Sequence, residues 1–392
     1  MVRQYFPEFI VDFYLMLTEK CPLRCEYCYI KDRAHGETIN ISTMENLMKK
    51  MGNIKPRIIF FGGEPLLELD KIEWFVNKYK DDVKSFQVVT SAVVFFDEFI
   101  ERVYKPNLDK FDLQISWDGK GNTRHTVHNN NISERVYKEI RTMFDDERRK
   151  LPFQVRTVIN DTNIDDFYNL YKLHSLYYCT WHNFYADFTI AHQTDFKTDF
   201  DSKLEKQLLN IFGSIEEDIS YKHKVFIPPL ILNLFNGYFN NIPMVGCNVG
   251  TEIIIRPNGD IYPCTMLSQL GDRFKMGNVN QDNIFNTDII DELERQPKQC
   301  LDCEYHKQCL GGCKYEKICK GDSLEYINTN YCSQSKVLID TTKSFLSKLD
   351  KEKLNLLRER TTCYMNWKMS YESAGHFDYK EFSSKGDGGI WI

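Results

Sequence analysis

The chain has 392 residues, 42% of them hydrophobic and 27% charged, with a formal net charge of −6. That length accommodates two or three domains with large cores. The acidic balance argues against general nucleic-acid binding, which needs a concentrated basic surface, and no run of about 18 apolar residues offers a membrane span. The first nine residues carry Arg3, Pro7 and Glu8 and lack a signal-peptide core, so the expected location is cytoplasmic. Thirteen cysteines in such a chain point to metal, because a reducing compartment does not sustain disulfides. Three lie at 21 to 28 and eight between 247 and 332; Cys179 and Cys363 stand apart and read as incidental thiols.

In chain order, apolar strands are expected at Phe9–Leu17, Arg57–Phe61, Ser85–Thr90, Phe111–Ser116, Phe153–Ile159 and Phe184–Ile190. Helices are expected between them at Thr43–Met51, Leu69–Lys80, Asp97–Tyr104, Ser133–Arg148 and Ile164–Tyr178, with Ser42 capping the first and Thr162 or Asn163 the last. Six strand–helix units predict an α/β fold, a partial (β/α)6 barrel with a parallel sheet and outer helices over 1–195. A helical bridge is expected over 196–245, clearest at Leu204–Ile219. A small cysteine-rich domain with a β-hairpin and helices follows over 246–335, then a helical and aromatic extension over 336–392 with helices near Ser335–Leu349 and Leu354–Arg360. Parallel α/β barrels place active sites at the C-terminal strand ends. Here those ends carry the three cysteines, Gly62-Gly63-Glu64-Pro65, Thr90-Ser91 and Ser116-Trp117-Asp118-Gly119, while the fifth strand carries Arg156.

The cysteines of Cys21-Pro22-Leu23-Arg24-Cys25-Glu26-Tyr27-Cys28 follow the first strand at spacings of four and three. Three thiolates on one loop can hold three irons of a 4Fe–4S cluster and leave the fourth open; a zinc knuckle or buried thiols are the plainer alternatives. Together with Gly-Gly-Glu-Pro after the second strand, the motif resembles the radical S-adenosylmethionine (SAM) enzymes. The resemblance implies that Cys21, Cys25 and Cys28 are the iron ligands and that SAM chelates the open iron. It also implies that Tyr27 lies near the adenine, that Gly62, Gly63 and Glu64 receive the methionine amino group, and that Ser116 and Asp118 lie beside SAM. Arg156 would pair with the SAM carboxylate, as a guanidinium suits a planar oxyanion. The third strand ends Thr90-Ser91-Ala92 where relatives often have Thr-Asn-Gly, so Thr90 and Ser91 stand as substitutes for the ribose contact.

The later cysteines read Cys247-x11-Gly259-x4-Cys264, then Cys300-x2-Cys303-x5-Cys309-x3-Cys313, then Cys319 and Cys332, with a hairpin turning at Asn258-Gly259. This pattern resembles the SPASM extension, which houses two auxiliary iron–sulfur clusters. By that resemblance Cys300, Cys303, Cys309 and Cys332 hold an outer cluster, and Cys247, Cys264 and Cys313 an inner one that is a ligand short. Cys319 completes the inner cluster, or it is a bystander and the inner cluster keeps an open iron; the reading leans to Cys319 as ligand. His306 lies within this run but is redundant beside so many thiolates. His125 and His128 follow the fourth strand and, like most lone histidines, read as structural. The aromatic run Tyr177–His182 reads as core.

The resemblance as a whole implies three 4Fe–4S clusters, SAM, an electron donor such as flavodoxin or ferredoxin, and a peptide or protein substrate. The expected activity is maturation of a ribosomally made peptide through a 5′-deoxyadenosyl radical, giving a thioether, a carbon–carbon crosslink or a related oxidation. A sulfatase-maturing enzyme that makes formylglycine is the nearest rival. Thr265 stands where those relatives have an aspartate after Tyr-Pro-Cys, which weakens it. A rival from another class is a non-enzymatic iron–sulfur or zinc scaffold that binds peptides. With about eight residues ahead of the first strand, leader recognition is expected from a separate protein, the bridge or the C-terminal extension.

Overall fold

The computed structural model describes residues 6, 12–30, 33–121, 123–144, 151–180, 184–192, 195–221, 225–247, 249–282 and 285–374, with side chains described as far as 365. Expectations for 9–11, 145–148, 181–182 and the chain's last residues lie outside these. Strands β1 (Asp12–Thr18), β2 (Arg57–Gly62), β3 (Ser85–Thr90), β4 (Phe111–Ser116), β5 (Phe153–Ile159) and β6 (Phe184–Ile190) are parallel and pair in the spatial order 6-5-4-3-2-1. Helices α1 (Ile41–Met51), α2 (Leu69–Tyr79), α3 (Phe96–Phe99), α4 (Ser133–Thr142) and α5 (Phe167–Thr180) intervene. Asn40, not Ser42, caps α1: its side-chain oxygen accepts from the Thr43 amide at 2.8 Å and also from the Ser42 hydroxyl. Asn163 makes no cap hydrogen bond; its amide donates instead to the Asp118 and Val158 carbonyls. The helix expected to reach Tyr104 is a single α-turn, α3, that widens into a π-turn over Ile100–Tyr104.

β2, β3 and β4 are largely buried on both faces, as parallel sheets require, whereas β5 alternates buried with half-buried positions. Phe60, Phe86 and Phe111 stack across β2, β3 and β4 at 5.8 and 5.6 Å, and Phe75 of α2 closes edge-on over Phe60 at 5.7 Å. Phe86 and Phe111 are also direct cross-strand partners, so one aromatic row fixes the register of three strands.

The sheet does not end at β1. The hairpin of the cysteine-rich segment, β7 (Glu252–Ile255) and β8 (Asp260–Tyr262), is not a separate unit. β7 pairs in parallel with β1, Asp12 opposite Glu252 and Leu15 opposite Ile255, and β8 and β9 (Gly277–Asn278) extend the same sheet antiparallel. The sheet curls so that Tyr14 on β1, Arg156 on β5, Asp187 on β6 and Glu252 on β7 face one cavity of about 800 Å³.

The bridge consists of α6 (Phe200–Ser220) and α7 (Pro229–Asn240). Short helices α8 (Asp288–Glu294), α9 (Lys298–Leu301), α10 (His306–Cys309) and α11 (Lys314–Gly321) carry the later cysteines, followed by α12 (Thr329–Lys348) and α13 (Lys351–Ala374). The C-terminal helices pack back onto the bridge and barrel. Phe345 stacks on Phe212 at 4.9 Å, and Tyr364 hydrogen-bonds Tyr185 of β6 through the hydroxyls.

Candidate functional site

β1 delivers the chain into the cysteine loop, and neighbouring loops hold that loop by its backbone. The Cys21 amide donates to the Arg33 carbonyl at 3.0 Å, Arg24 to His125 at 2.7 Å and Glu26 to Thr123 at 3.3 Å. The three thiols lie in one another's electrostatic field, Cys21 with both Cys25 and Cys28, and Cys25 with Cys28. Burial pushes Cys21 up to about 12 and Cys25 up to about 11. Thiolates in such a place need cations to balance them, so deprotonation there is coupled to metal uptake.

The end of β2 packs against this loop at backbone contact distance. A Cβ on Gly62 would lie 2.3 Å from the Thr18 carbonyl oxygen, and one on Gly63 would lie 2.2 Å from that of Lys20. The Gly63 and Glu64 amides donate to those same two carbonyls at 2.7 and 2.9 Å. Both glycines are thus required by the approach of two strand ends, in addition to any ligand. Glu64 is 1% exposed. It accepts from the Thr90 hydroxyl (2.7 Å), the Ser91 amide (2.9 Å), the Ser91 hydroxyl and the Leu66 amide (3.2 Å). Burial raises its pKa against these four donors. Thr90 and Ser91, expected at the ribose, have their hydroxyls directed at Glu64.

Asp118, expected beside SAM, is 2% exposed and engaged with protein groups. It accepts from the Tyr27 hydroxyl, the Thr123 hydroxyl at 2.9 Å, Arg124 Nε at 2.8 Å and the Val158 amide at 2.8 Å. The Arg124 guanidinium lies 5.5 Å from the centre of the Tyr27 ring. Asp118 therefore locks the loop after β4 to Tyr27, and through the Arg24 and Glu26 amides to the cysteines. Ser116 ends β4 half-buried, opposite Arg156 across the β4–β5 pair. Arg156 Nη2 donates to Asp187 at 2.8 Å and Nε to Thr189 at 3.3 Å, with 43% of the side chain exposed to the cavity.

The far wall of that cavity includes Cys247, Cys264 and Cys313. The Cys313 and Cys247 sulfurs are hydrogen-bonded, and Cys264 interacts electrostatically with both. Cys319 is not brought to this group. It is exposed near the end of α11, and its side chain engages Tyr315. Three thiols therefore face the cavity, the arrangement of the open-iron alternative.

All four outer cysteines, Cys300, Cys303, Cys309 and Cys332, line a second, smaller cavity of about 50 Å³. Lys317 lines it too, 3% exposed, and its Nζ has no hydrogen-bond partner among the described residues. A buried ammonium without an acceptor is strongly unfavourable, and deprotonation of the four thiols in the same cavity would supply the negative charge that balances it. Gly311 and Gly312, between Cys309 and Cys313, take φ of +76° and +74°. A Cβ on Gly312 would stand 2.8 Å from the Tyr331 ring, which borders both cavities.

Several residues of this site have no motif to announce them. Glu252 faces the cavity beside the Tyr14 hydroxyl, and burial first, then the Asp12 charge, raises its carboxyl to about 7. Tyr29 is half-buried, hydrogen-bonded to Thr265 and in the field of both Cys28 and Cys264. The position of the missing aspartate is thereby occupied by a threonine that holds Tyr29. The signal for Glu252 was a single carboxylate at the head of an otherwise apolar strand, Glu252-Ile253-Ile254-Ile255.

Residues 15–173 match the Radical SAM superfamily model, and residues 247–304 match SPASM, an iron–sulfur cluster-binding domain. The chain is thus a radical SAM protein with a SPASM domain behind the barrel, which brings SAM and iron–sulfur clusters with it. Among curated relatives, GTP 3',8-cyclase of Clostridium botulinum is 27% identical over 167 residues, 40% of this chain and 51% of the cyclase. The chain thus spans about half the length of those cyclases. A cysteine-type anaerobic sulfatase-maturating enzyme of Clostridium perfringens is 22% identical over 347 residues, 80% of this chain and 91% of that enzyme. The structure of anSMEcpe with bound AdoMet and Cp18Cys peptide superposes with a TM-score of 0.68 at 18% identity, covering 89% of this chain and 99% of that one. Streptococcus suis SuiB bound to precursor peptide SuiA gives 0.59 at 15% identity, covering 83% and 76%. These likenesses establish the fold.

Proposed function

We propose that the protein is a radical SAM/SPASM maturase that oxidises a side-chain or α-carbon of a ribosomally made peptide. Cys21, Cys25 and Cys28 hold the SAM-binding cluster. Cys247, Cys264 and Cys313 hold an inner auxiliary cluster, and Cys300, Cys303, Cys309 and Cys332 an outer one. The observation that carries this reading is the cavity of about 800 Å³ that runs from Arg156 to the three inner thiols. It offers a peptide side chain room beside the three inner thiols. Peptide-bound neighbours of the same fold support it.

When bound, the first cluster and SAM supply a 5′-deoxyadenosyl radical that takes one hydrogen atom, and the auxiliary clusters supply a one-electron acceptor. A two-electron oxidation that removes two hydrogens then leaves one electron for that acceptor and one proton for the protein. Glu252 is the proton acceptor in this reading, because it is the cavity carboxylate whose pKa lies near neutrality, which suits general-base work. Arg156 orients a carboxylate, with Asp187 holding the guanidinium in place.

A second reading, oxidation of a cysteine or serine to formylglycine, is favoured by the sulfatase-maturating relatives. Product mass distinguishes the two for a cysteine substrate, and for serine, whose oxidation also loses two hydrogens, reaction of the new aldehyde with a hydrazide does. A crosslink loses two hydrogens, whereas conversion of cysteine also exchanges sulfur for oxygen.

The test is anaerobic reconstitution with iron and sulfide counting, SAM and a reductant. About twelve irons per chain, falling to about eight in a Cys21/Cys25/Cys28 triple alanine variant, with 5′-deoxyadenosine formed only by the wild type, is the expected result. Zinc in place of iron, or no nucleoside product, would leave a metal-stapled scaffold. With product formation in hand, activity should rise with pH through about 7 as Glu252 ionises, and E252Q should remove that limb. An unchanged profile would dismiss Glu252 as the base.

A further inference from the structure

The later cysteine segment buries two lysines that no part of the reaction described above uses. Lys314 and Lys317 lie three apart on α11, which places them on one helix face. They are 6% and 3% exposed, although lysine ordinarily extends its ammonium to water. Lys314 Nζ donates to the Arg295 carbonyl at 3.5 Å, the longest reach of a hydrogen bond. Lys317 Nζ has no hydrogen-bond partner among the described residues.

Thiols lie in the electrostatic field of both ammonium groups. Lys317 shares its cavity with Cys300, Cys303, Cys309 and Cys332. Burial lowers its pKa, and Lys314 adds to that; the groups that favour its charge are Cys300 and Cys309, then Glu325. Those for Lys314 are Cys247, Cys300 and Cys313, then Glu294. Lys317 thus shares the cavity of the outer thiols, and Lys314 opens α11 directly after Cys313 of the inner set. Gly311 leaves the room this needs: a Cβ there would stand 3.3 Å from Lys317 Nζ.

We propose that Lys317 is the charge partner of the outer auxiliary cluster, that Lys314 is shared by both, and that together they raise the clusters' reduction potentials. The inference rests on the proposed assignment of these cysteines as cluster ligands. Each cluster becomes more negative by one charge when it takes up an electron. A fixed cation in a medium of low dielectric stabilises the reduced form more than the oxidised one. The pair therefore biases the auxiliary clusters toward accepting the electron that a substrate radical gives up. They act through the clusters, as positioning residues of charge, and touch neither substrate nor SAM.

The test is an EPR-monitored redox titration of anaerobically reconstituted full-length protein, comparing wild type with K317M, K317R and K314M. K317M should make reduction of the outer cluster ten- to hundredfold less favourable, with about 59 mV of potential lost for each tenfold. The inner cluster should be nearly unmoved. K314M should lower both potentials, and K317R, which keeps the charge, should stay within about tenfold of wild type. Loss of the outer cluster in K317M but not in K317R would support the same electrostatic role. Unchanged potentials in K317M and K314M, with clusters intact, would overturn the inference while leaving the cluster assignment standing. Wild-type protein that takes up no auxiliary iron would fail the assignment itself, and the inference with it.

Discussion

Asp118 gives the sharpest test of how the cysteine loop is held. In D118N the amide oxygen can keep the Val158 amide, 2.8 Å away in the wild type. The new NH2 then faces three donors: Tyr27, Thr123 and Arg124. The largest loss is the ion pair, since 14% of the Arg124 side chain and 1% of Asp118's are exposed. Removing one partner of a buried pair strands the other charge and typically costs about 3–5 kcal/mol. Anaerobic urea unfolding followed by intrinsic fluorescence should show that loss, together with reduced iron retention at the first site. The double variant D118N/R124M removes the stranded cation and should recover about 1–3 kcal/mol of it. A D118N loss below about 1 kcal/mol, or strict additivity in the double variant, would refute the claim that Asp118 organises the loop through Arg124.

Gly63→Ala should displace the Lys20 carbonyl, 2.2 Å from the new Cβ, and lower the reconstituted iron count by about four per chain; a normal count would show that the loop can yield. Cys319→Ser should leave the iron count unchanged, whereas Cys313→Ser should lower it; a fall in the Cys319 variant would return that thiol to the inner cluster. His174 is buried among Trp117, Phe184 and Phe188, and desolvation lowers its pKa to about 3. The unfolded chain takes up that proton below about 6.5 and the folded chain does not. Stability should therefore be level above that pH and fall by about 3–5 kcal/mol as pH drops toward 3. His174→Gln should flatten this part of the profile, read from urea midpoints across pH.

What the sequence determined by itself is local and periodic. Apolar runs of six or seven residues bounded by helical stretches place β2 to β6 nearly to the residue, because the strand-like run of each stops where the helical spacing begins. The cysteine spacings gave the metal-binding regions for a similar reason: several ligands on one short loop write their geometry into the chain. The tertiary structure decided whatever depends on partners far apart in the chain. Glu64 and Ser91 are 27 residues apart, Tyr27 and Asp118 are 91 apart, and Tyr14 and Glu252 meet because β7 pairs with β1. Asp118 reads in the sequence as a single carboxylate, and only the fold brings its four donors to it. Cys319 has the spacing of a ligand, but a helix turn points it away from the other thiols. Lys317 reads as an ordinary helix lysine until the fold buries it in the cavity that the four outer thiols line.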